Sequence, residues 1–166
     1  MIVGGGTCAG TAARTLRENG FDGSVTVVAA ERALPYERPA LSKEFLVGEA
    51  TPDSLRTNPV EWYRENNVVI RSGVQVERLD LQDRAVVLPS GERLPFDAVL
   101  IATGGRPRTM PVPMPDQRVH HLRTLDDAAA LSSDLRRGGR LAVLGAGFVG
   151  CEVAAAARGM GGWRSS

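Results

Sequence analysis

Met1-Ile2-Val3-Gly4-Gly5-Gly6-Thr7-Cys8-Ala9-Gly10-Thr11-Ala12-Ala13 opens the chain as an apolar strand end, a glycine-dense turn and an Ala-rich helix. Gly4 and Gly6 take the first two places of G-x-G-x-x-G/A and Ala9 takes the last, which is the pattern of a dinucleotide-binding turn. Each place has a geometric reason. The first glycine makes the turn, the second lets backbone approach a pyrophosphate, and the small third residue lets helix pack close on strand. Free N–H groups at the helix start then meet the phosphate charge. A lone loop of this kind also fits a mere tight turn, so the decision falls to the rest of the chain.

Working outward, residues 11–19 continue as a helix that Gly20 stops, and Ser24-Val25-Thr26-Val27-Val28-Ala29-Ala30 reads as a buried parallel strand. This completes a β-α-β unit whose second strand ends at Glu31, about 20 residues past the glycine loop, where an acidic side chain bonds ribose hydroxyls. Two prolines hold Leu34-Pro35-Tyr36-Glu37-Arg38-Pro39-Ala40-Leu41-Ser42-Lys43 out of regular structure, and Ser42 is expected to cap a short helix over 43–47. A polar connector, 51–58, leads to a short helix at 61–67, in which Trp62 and Tyr63 are expected to pack, and to a strand at 68–71. From 74 to 96 the apolar period becomes two, broken by Gln82-Asp83-Arg84 and Ser90-Gly91, which predicts a small antiparallel meander. Asp97-Ala98-Val99-Leu100-Ile101-Ala102-Thr103-Gly104-Gly105 returns to an apolar strand with a small-residue turn, a further strand of the parallel sheet.

The proline-dense stretch 110–115 reads as a linker. Beyond it, residues 126–136 have helical spacing, with Asp126 or Asp127 near the start and Gly138-Gly139 at the end. A strand at 140–144 then enters Gly145-Ala146-Gly147-Phe148-Val149-Gly150, a full G-x-G-x-x-G opening a helix at 148–158. Two such turns, each set between strand and helix, are far more specific than one.

Composition narrows the classes further. A net charge of +1 over 166 residues, with both signs interspersed, leaves no footprint for nucleic acid or an anionic membrane. No apolar run reaches the roughly 20 residues of a membrane helix, and no signal-peptide core opens the chain, so a cytoplasmic location is expected. Cys8 and Cys151 are spaced neither for zinc nor as a redox pair and read as small buried filler. His120-His121 has no neighbouring carboxylate or cysteine spacing that points to a metal, and it reads as strand and loop surface. Lys43 is the only lysine in an Arg-rich chain, which marks a place where a compact ammonium is wanted or else a leftover surface residue.

With these stretches together, the sequence resembles the two-dinucleotide-binding-domain flavoproteins, and among them the FAD-dependent ferredoxin reductases that serve bacterial oxygenases and cytochromes P450. The resemblance runs to about residue 158. It is carried by the first glycine loop, Glu31, the segment from Pro35 to Lys43, Ala102-Thr103-Gly104-Gly105-Arg106-Pro107-Arg108, Leu122-Arg123-Thr124-Leu125-Asp126-Asp127 and Gly145-Ala146-Gly147-Phe148-Val149-Gly150-Cys151-Glu152. It implies an α/β, Rossmann-like fold with a small antiparallel meander, an FAD-binding domain over 1–109, and the incomplete start of an NAD(P)-binding domain over 110–166.

By the resemblance, Gly4, Gly6 and Ala9 hold the FAD pyrophosphate and Glu31 its ribose. Arg38 and Lys43 approach the flavin, Val76 meets adenine through its backbone, and Ala102, Thr103, Gly104 and Arg108 line the cleft. Gly145, Gly147, Gly150 and Glu152 face the nicotinamide nucleotide. The implied reaction is hydride transfer from NAD(P)H to FAD, then single electrons to a [2Fe-2S] ferredoxin, with Lys43 as the cation that steadies reduced flavin. Disulfide reductases share both turns but need cysteine beside the flavin, and 35–47 contains none. The alternatives are an NADH-dependent nitrite reductase subunit fragment and an inactive nucleotide-binding fragment. Two departures support a fragment: the first strand has about two residues before its turn, shorter than the usual strand, and no strand or ribose-reading residue follows 158. The closing residues read as a shifted frame or early stop.

Overall fold

In the computed structural model, which describes residues 1–108 and 118–161, the opening apolar residues form β1 (Ile2–Val3), followed by α1 (Thr7–Glu18) and β2 (Val25–Ala29). The first of two units, Met1–Glu37 with Arg56–Gly104, is built on them. It adds α3 (Val60–Glu65), β3 (Val68–Ser72), β4 (Arg78–Asp80), β5 (Ala85–Val87), β6 (Arg93–Pro95) and β7 (Leu100–Ile101). One sheet is parallel in the order β3-β2-β1-β7, with Ile2 opposite Val27 and Leu100, and the second is the antiparallel meander β4-β5-β6. Both sheets were expected. β7 is assigned over two residues only, but Met1 N bonding Ala98 O at 3.0 Å and Ala102 N bonding Val3 O at 2.7 Å carry its pairing outward.

Period-two alternation sorts the sheet's side chains into two cores. Ile2, Val25 and Val27 pack with Ala9 and Ala13 of α1 and Tyr63 of α3, while Val3 and Val28 pack with Val86 and Leu88 of the meander. Trp62 meets Tyr63 edge to face at 5.3 Å, the packing role expected of the pair. α1 presents only small residues to the sheet, which brings helix and strand close. At its far end the Arg17 guanidinium donates to the carbonyls of Phe21, Gly23, Asn66 and Asn67, tying the helix to the turn before β3. Cys8 is exposed, not buried filler, because it lies about 100° round the helix from the Ala9 and Ala13 stripe.

On the meander, Asp80 accepts from the Asp83 N–H at 3.2 Å, Arg78 at 3.0 Å and Arg93 at 3.1 Å. The Asp83 N–H, then the two guanidiniums, hold its carboxyl down to about 2. A carboxyl lowered in the folded state adds stability above its ordinary value of about 3.9, and that stability is lost as pH falls toward the folded value. We expect Asp80→Asn to melt below wild type at neutral pH and the gap to close between about pH 4 and pH 2. Thermal melts of both forms across that range check it, and a gap that survives at pH 2 would contradict it.

The second unit, Arg38–Leu55 with Gly105–Ser166, contains a 3-10 helix (Arg38–Ser42), α2 (Glu44–Val47), α4 (Leu125–Arg136) and α5 (Phe148–Gly159). The expected linker, 110–115, and residues 162–166 lie outside the described residues. Leu46, Leu131, Leu135, Val153 and Ala157 form its core. The Ser132 hydroxyl donates to Leu46 O at 2.7 Å and Arg136 to Val47 O at 3.1 Å, so α4 satisfies carbonyls that α2 is too short to bond itself.

One local expectation gains its detail here and three are corrected. Asp126 and Asp127 lie in the first turn of α4 as expected, and Thr124 is its N-cap, accepting from Asp127 N at 3.1 Å while the Asp127 carboxylate accepts from Thr124 N at 2.8 Å, a capping box. Residues 140–144 form no strand: an apolar run becomes a strand only with a ladder beside it, and none is assigned to these residues among those described. Cys151 is exposed, because the buried stripe of α5 runs through Val153 and Ala157 on another side of the helix. His120 is partly buried and bonded through Nε2 to Asp134 at 2.8 Å, so its place is a hydrogen-bonded loop and not strand surface.

Candidate functional site

The first loop leaves no room for side chains. Gly4 has φ +134°, and a Cβ there would stand 2.0 Å from Ala102 O and 3.0 Å from Thr103 N. At Gly5 a Cβ would meet the Ala29 side chain at 2.6 Å. β1, the end of β2 and the turn after β7 thus converge on the loop. Gly6 is the N-cap of α1, which has neither a capping side chain nor an acid in its first turn. Its leading N–H groups therefore remain available to an anion.

Tyr36 lies beside this loop and is fully buried. Its backbone bridges Gly6, its carbonyl accepts from the Thr7 hydroxyl at 3.0 Å, and its phenol donates to Glu31 Oε2 at 2.6 Å. The phenol fixes the carboxylate at the end of β2. A glycine cradle that any Cβ would fill, an uncapped helix start and a fixed carboxylate one strand away fit the pyrophosphate and ribose of a dinucleotide.

In the second unit, Gly145 shares a positive φ with Gly4, at +110°, although among the described residues a Cβ there would meet nothing within 4 Å, and a Cβ on Gly150 would stand 2.8 Å from Gly145 O. Gly147 caps α5 through backbone alone, and the first turn of that helix again holds no acid. About one turn on, Glu152 meets the segment before α2. Its Oε1 lies 3.5 Å from Lys43 Nζ, and its Oε2 accepts from the Ser42 hydroxyl. That hydroxyl above all holds the Glu152 carboxyl below its ordinary range; burial opposes it, and the Lys43 ammonium adds a weaker lowering. Arg38 donates to Arg123 O at 2.5 Å. Arg38, Lys43, Arg123, Phe148 and Glu152 line a cavity of about 300 Å³.

A sequence model described as pyridine nucleotide-disulphide oxidoreductase matches residues 1–162. The chain belongs to the pyridine nucleotide-disulphide oxidoreductase family. Among the similar members of this family, the ferredoxin–NAD(+) reductase component of the p-cumate 2,3-dioxygenase system of Pseudomonas putida is 46% identical over 160 residues, which are 95% of this chain and 39% of that protein. The corresponding component of the anthranilate 1,2-dioxygenase system of Burkholderia cepacia is 41% identical over 97% of this chain and 40% of its own length. A putidaredoxin reductase, solved as a covalent complex with putidaredoxin, superposes with a TM-score of 0.88 at 34% identity, covering 96% of this chain and 39% of that one. The chain thus spans about two-fifths of the length of the family members it matches.

Within the first unit, the structure brings Gly4 against Ala102 and Thr103 and places Glu31 beside the same loop through Tyr36. Ala9 is buried against the sheet, the close approach expected of the third place. Thr103 and Gly104 are exposed beyond β7, and the Val76 side chain packs into the meander core. Within the second unit, Lys43 and Glu152 are joined, Gly145 and Gly150 are packed together, and Arg108 is exposed. Ser42 does not cap α2: Lys43 is the N-cap residue and no side chain fills that role. Its hydroxyl goes to Glu152 because a carboxylate is a stronger acceptor than the Pro39 carbonyl 3.4 Å away. Sequence reading assigned no part to Tyr36 or Thr7 and gave Ser42 only the role of a helix cap. Their only signal was membership of the first glycine loop, for Thr7, and of the segment from Pro35 to Lys43, for Tyr36 and Ser42, since their partners are set by tertiary contact.

Proposed function

We propose that these residues belong to an FAD-dependent NAD(P)H:ferredoxin oxidoreductase. In this reading 1–109 is part of the FAD-binding domain, 110–166 is the start of the NAD(P)-binding domain, and the location is cytoplasmic. The observation that carries it is the pair of glycine turns, each with a positive-φ first glycine and an uncapped, acid-free helix start, set on relatives named as ferredoxin–NAD(+) reductases of oxygenase systems. Those names favour this reading over a nitrite reductase subunit. Among the described residues no helix is long and apolar enough to cross a membrane.

Gly4, Gly6 and Ala9 would hold the FAD pyrophosphate against the start of α1, Glu31 its ribose and Val76, through backbone, its adenine. Ala102, Thr103, Gly104, Arg108, Arg38 and Lys43 would line the remainder. Gly145, Gly147, Gly150 and Glu152 would receive NAD(P)H. When bound, FAD supplies the chemistry of taking a hydride and giving up single electrons, here to a [2Fe-2S] ferredoxin. The residues present contribute position and charge. The Tyr36 phenol fixes Glu31, and Glu152 keeps the half-exposed Lys43 ammonium in place.

The test is Lys43→Ala in a full-length form of the protein, with both nucleotide-binding domains complete and FAD loaded. Flavin bleaching on mixing with NAD(P)H should slow by about ten-fold, less than for a buried donor because Lys43 is half exposed. FAD binding, followed by flavin fluorescence, should stay near wild type. Unchanged bleaching would remove Lys43 from the reading, and a wild-type chain that takes up no FAD would remove the reading itself.

A further inference from the structure

Ser42 is 5% exposed, yet it carries a hydroxyl whose single proton has two acceptors in reach. The Pro39 carbonyl stands at 3.4 Å, while Glu152 Oε2 is closer and charged, so the proton is committed to Glu152. The other oxygen of the same carboxylate faces Lys43 Nζ at 3.5 Å. Glu152 therefore bridges two consecutive residues at the junction of the 3-10 helix and α2, with one oxygen for each. Lys43 is 48% exposed and its side chain is long, so the ammonium alone would not hold the carboxylate in one orientation. The buried, short-stemmed serine does.

We propose that Ser42 is a positioning residue, which anchors the Glu152 carboxylate so that its second oxygen fixes where the Lys43 ammonium stands. The functional weight of this arrangement rests on the flavin-side role proposed for Lys43. The lowered pKa of Glu152, caused first by the Ser42 hydroxyl, agrees with a donor committed to the carboxylate.

Because Lys43 is the only lysine in the sequence, an amine-acylating reagent read by peptide mass reports on one side chain, with the N-terminal amine resolved separately. A tethered ammonium is withheld from the reagent. Ser42→Ala should raise the Lys43 labelling rate by about three-fold, the range of one exposed ion pair, and Glu152→Gln should do the same. In the Glu152→Gln background, Ser42→Ala should add nothing, because the serine acts through the carboxylate. Should Ser42→Ala not fold, the isosteric pair Ser42→Thr and Ser42→Val gives the same comparison, with only the hydroxyl form labelling as wild type. An unchanged rate in Ser42→Ala, equal rates in the threonine and valine forms, or an equal rise in both backgrounds would each overturn the proposal. A second arm adds FAD. Failure of FAD to protect Lys43 in the wild-type chain would overturn the flavin-side reading alone, whereas loss of the coupling would overturn the role of Ser42 alone.

Discussion

Gly4→Ala is expected to destabilise the first unit by roughly 3 to 5 kcal/mol, the sum of a backbone term and an overpacking term. At φ +134° a side chain is strained whatever the space, and here the new Cβ would lie 2.0 Å from the Ala102 carbonyl oxygen. That oxygen belongs to backbone just past β7, paired through Ala102 N to Val3 O, so it cannot rotate away as a side-chain tip does. Relief requires β7 to move from β1, which opens one side of the sheet. Since domains of this size are stable by about 5–15 kcal/mol, the loss takes a large share of the total. Chemical denaturation of the two forms measures it. A difference below about 1 kcal/mol would show that the turn does not pack against residue 102 as described.

Gly10→Ala carries the second large effect, and there two principles pull in opposite directions. Residue 10 lies inside α1, where alanine is favoured over glycine by about 1 kcal/mol. Yet a Cβ would stand 1.9 Å from Thr57 Oγ1, 2.8 Å from Thr57 Cβ and 3.0 Å from Pro35 Cβ. Thr57 is not free to yield: its hydroxyl donates to Pro35 O at 3.0 Å and its N–H bonds the same oxygen at 2.8 Å. The Asn58 amide also reaches Gly10 O at 3.0 Å. Overpacking of about 1–3 kcal/mol and one or two hydrogen bonds lost at about 1 kcal/mol each outweigh the propensity gain, for a net loss of roughly 2 to 3 kcal/mol. Adding Thr57→Ala removes the nearest clash, so the double variant should lose less than the sum of the two singles in the same denaturation experiment. Strict additivity would place the cost elsewhere than the Gly10 and Thr57 contact.

What sequence alone revealed follows from the range of the interactions involved. Periodicity disclosed β2 and the meander, because Val25 to Ala29 and residues 74–96 announce their burial within a few positions. Glycine spacing located both turns, since the constraint at Gly4 and at Gly145 is written in the backbone of those residues. The features that escaped depend on partners far along the chain. Ser42 looked like a helix cap from its neighbours, but its acceptor is 110 residues away. The Tyr36 phenol, five residues from Glu31, became readable only when the chain folded back past Gly6. Residues 140–144 have the composition of a strand, and composition does not supply a ladder. Cys8 and Cys151 show the limit of residue averages, because helix phase and not cysteine's usual burial decided their exposure.

β1, described as two residues between β2 and β7, also sets a timetable. Its outer neighbour begins at Leu100, and Leu100 N closes on Met1 O at 2.9 Å. During synthesis at about 5–20 residues per second, the first strand therefore waits roughly 5 to 20 s before its second edge has emerged. β2 and β3, paired from Val25↔Val68 to Ala29↔Ser72, have all their residues out earlier. The sheet is thus completed by β7, the last of its strands to be made, and β1 with the glycine loop just behind it holds an open edge until then.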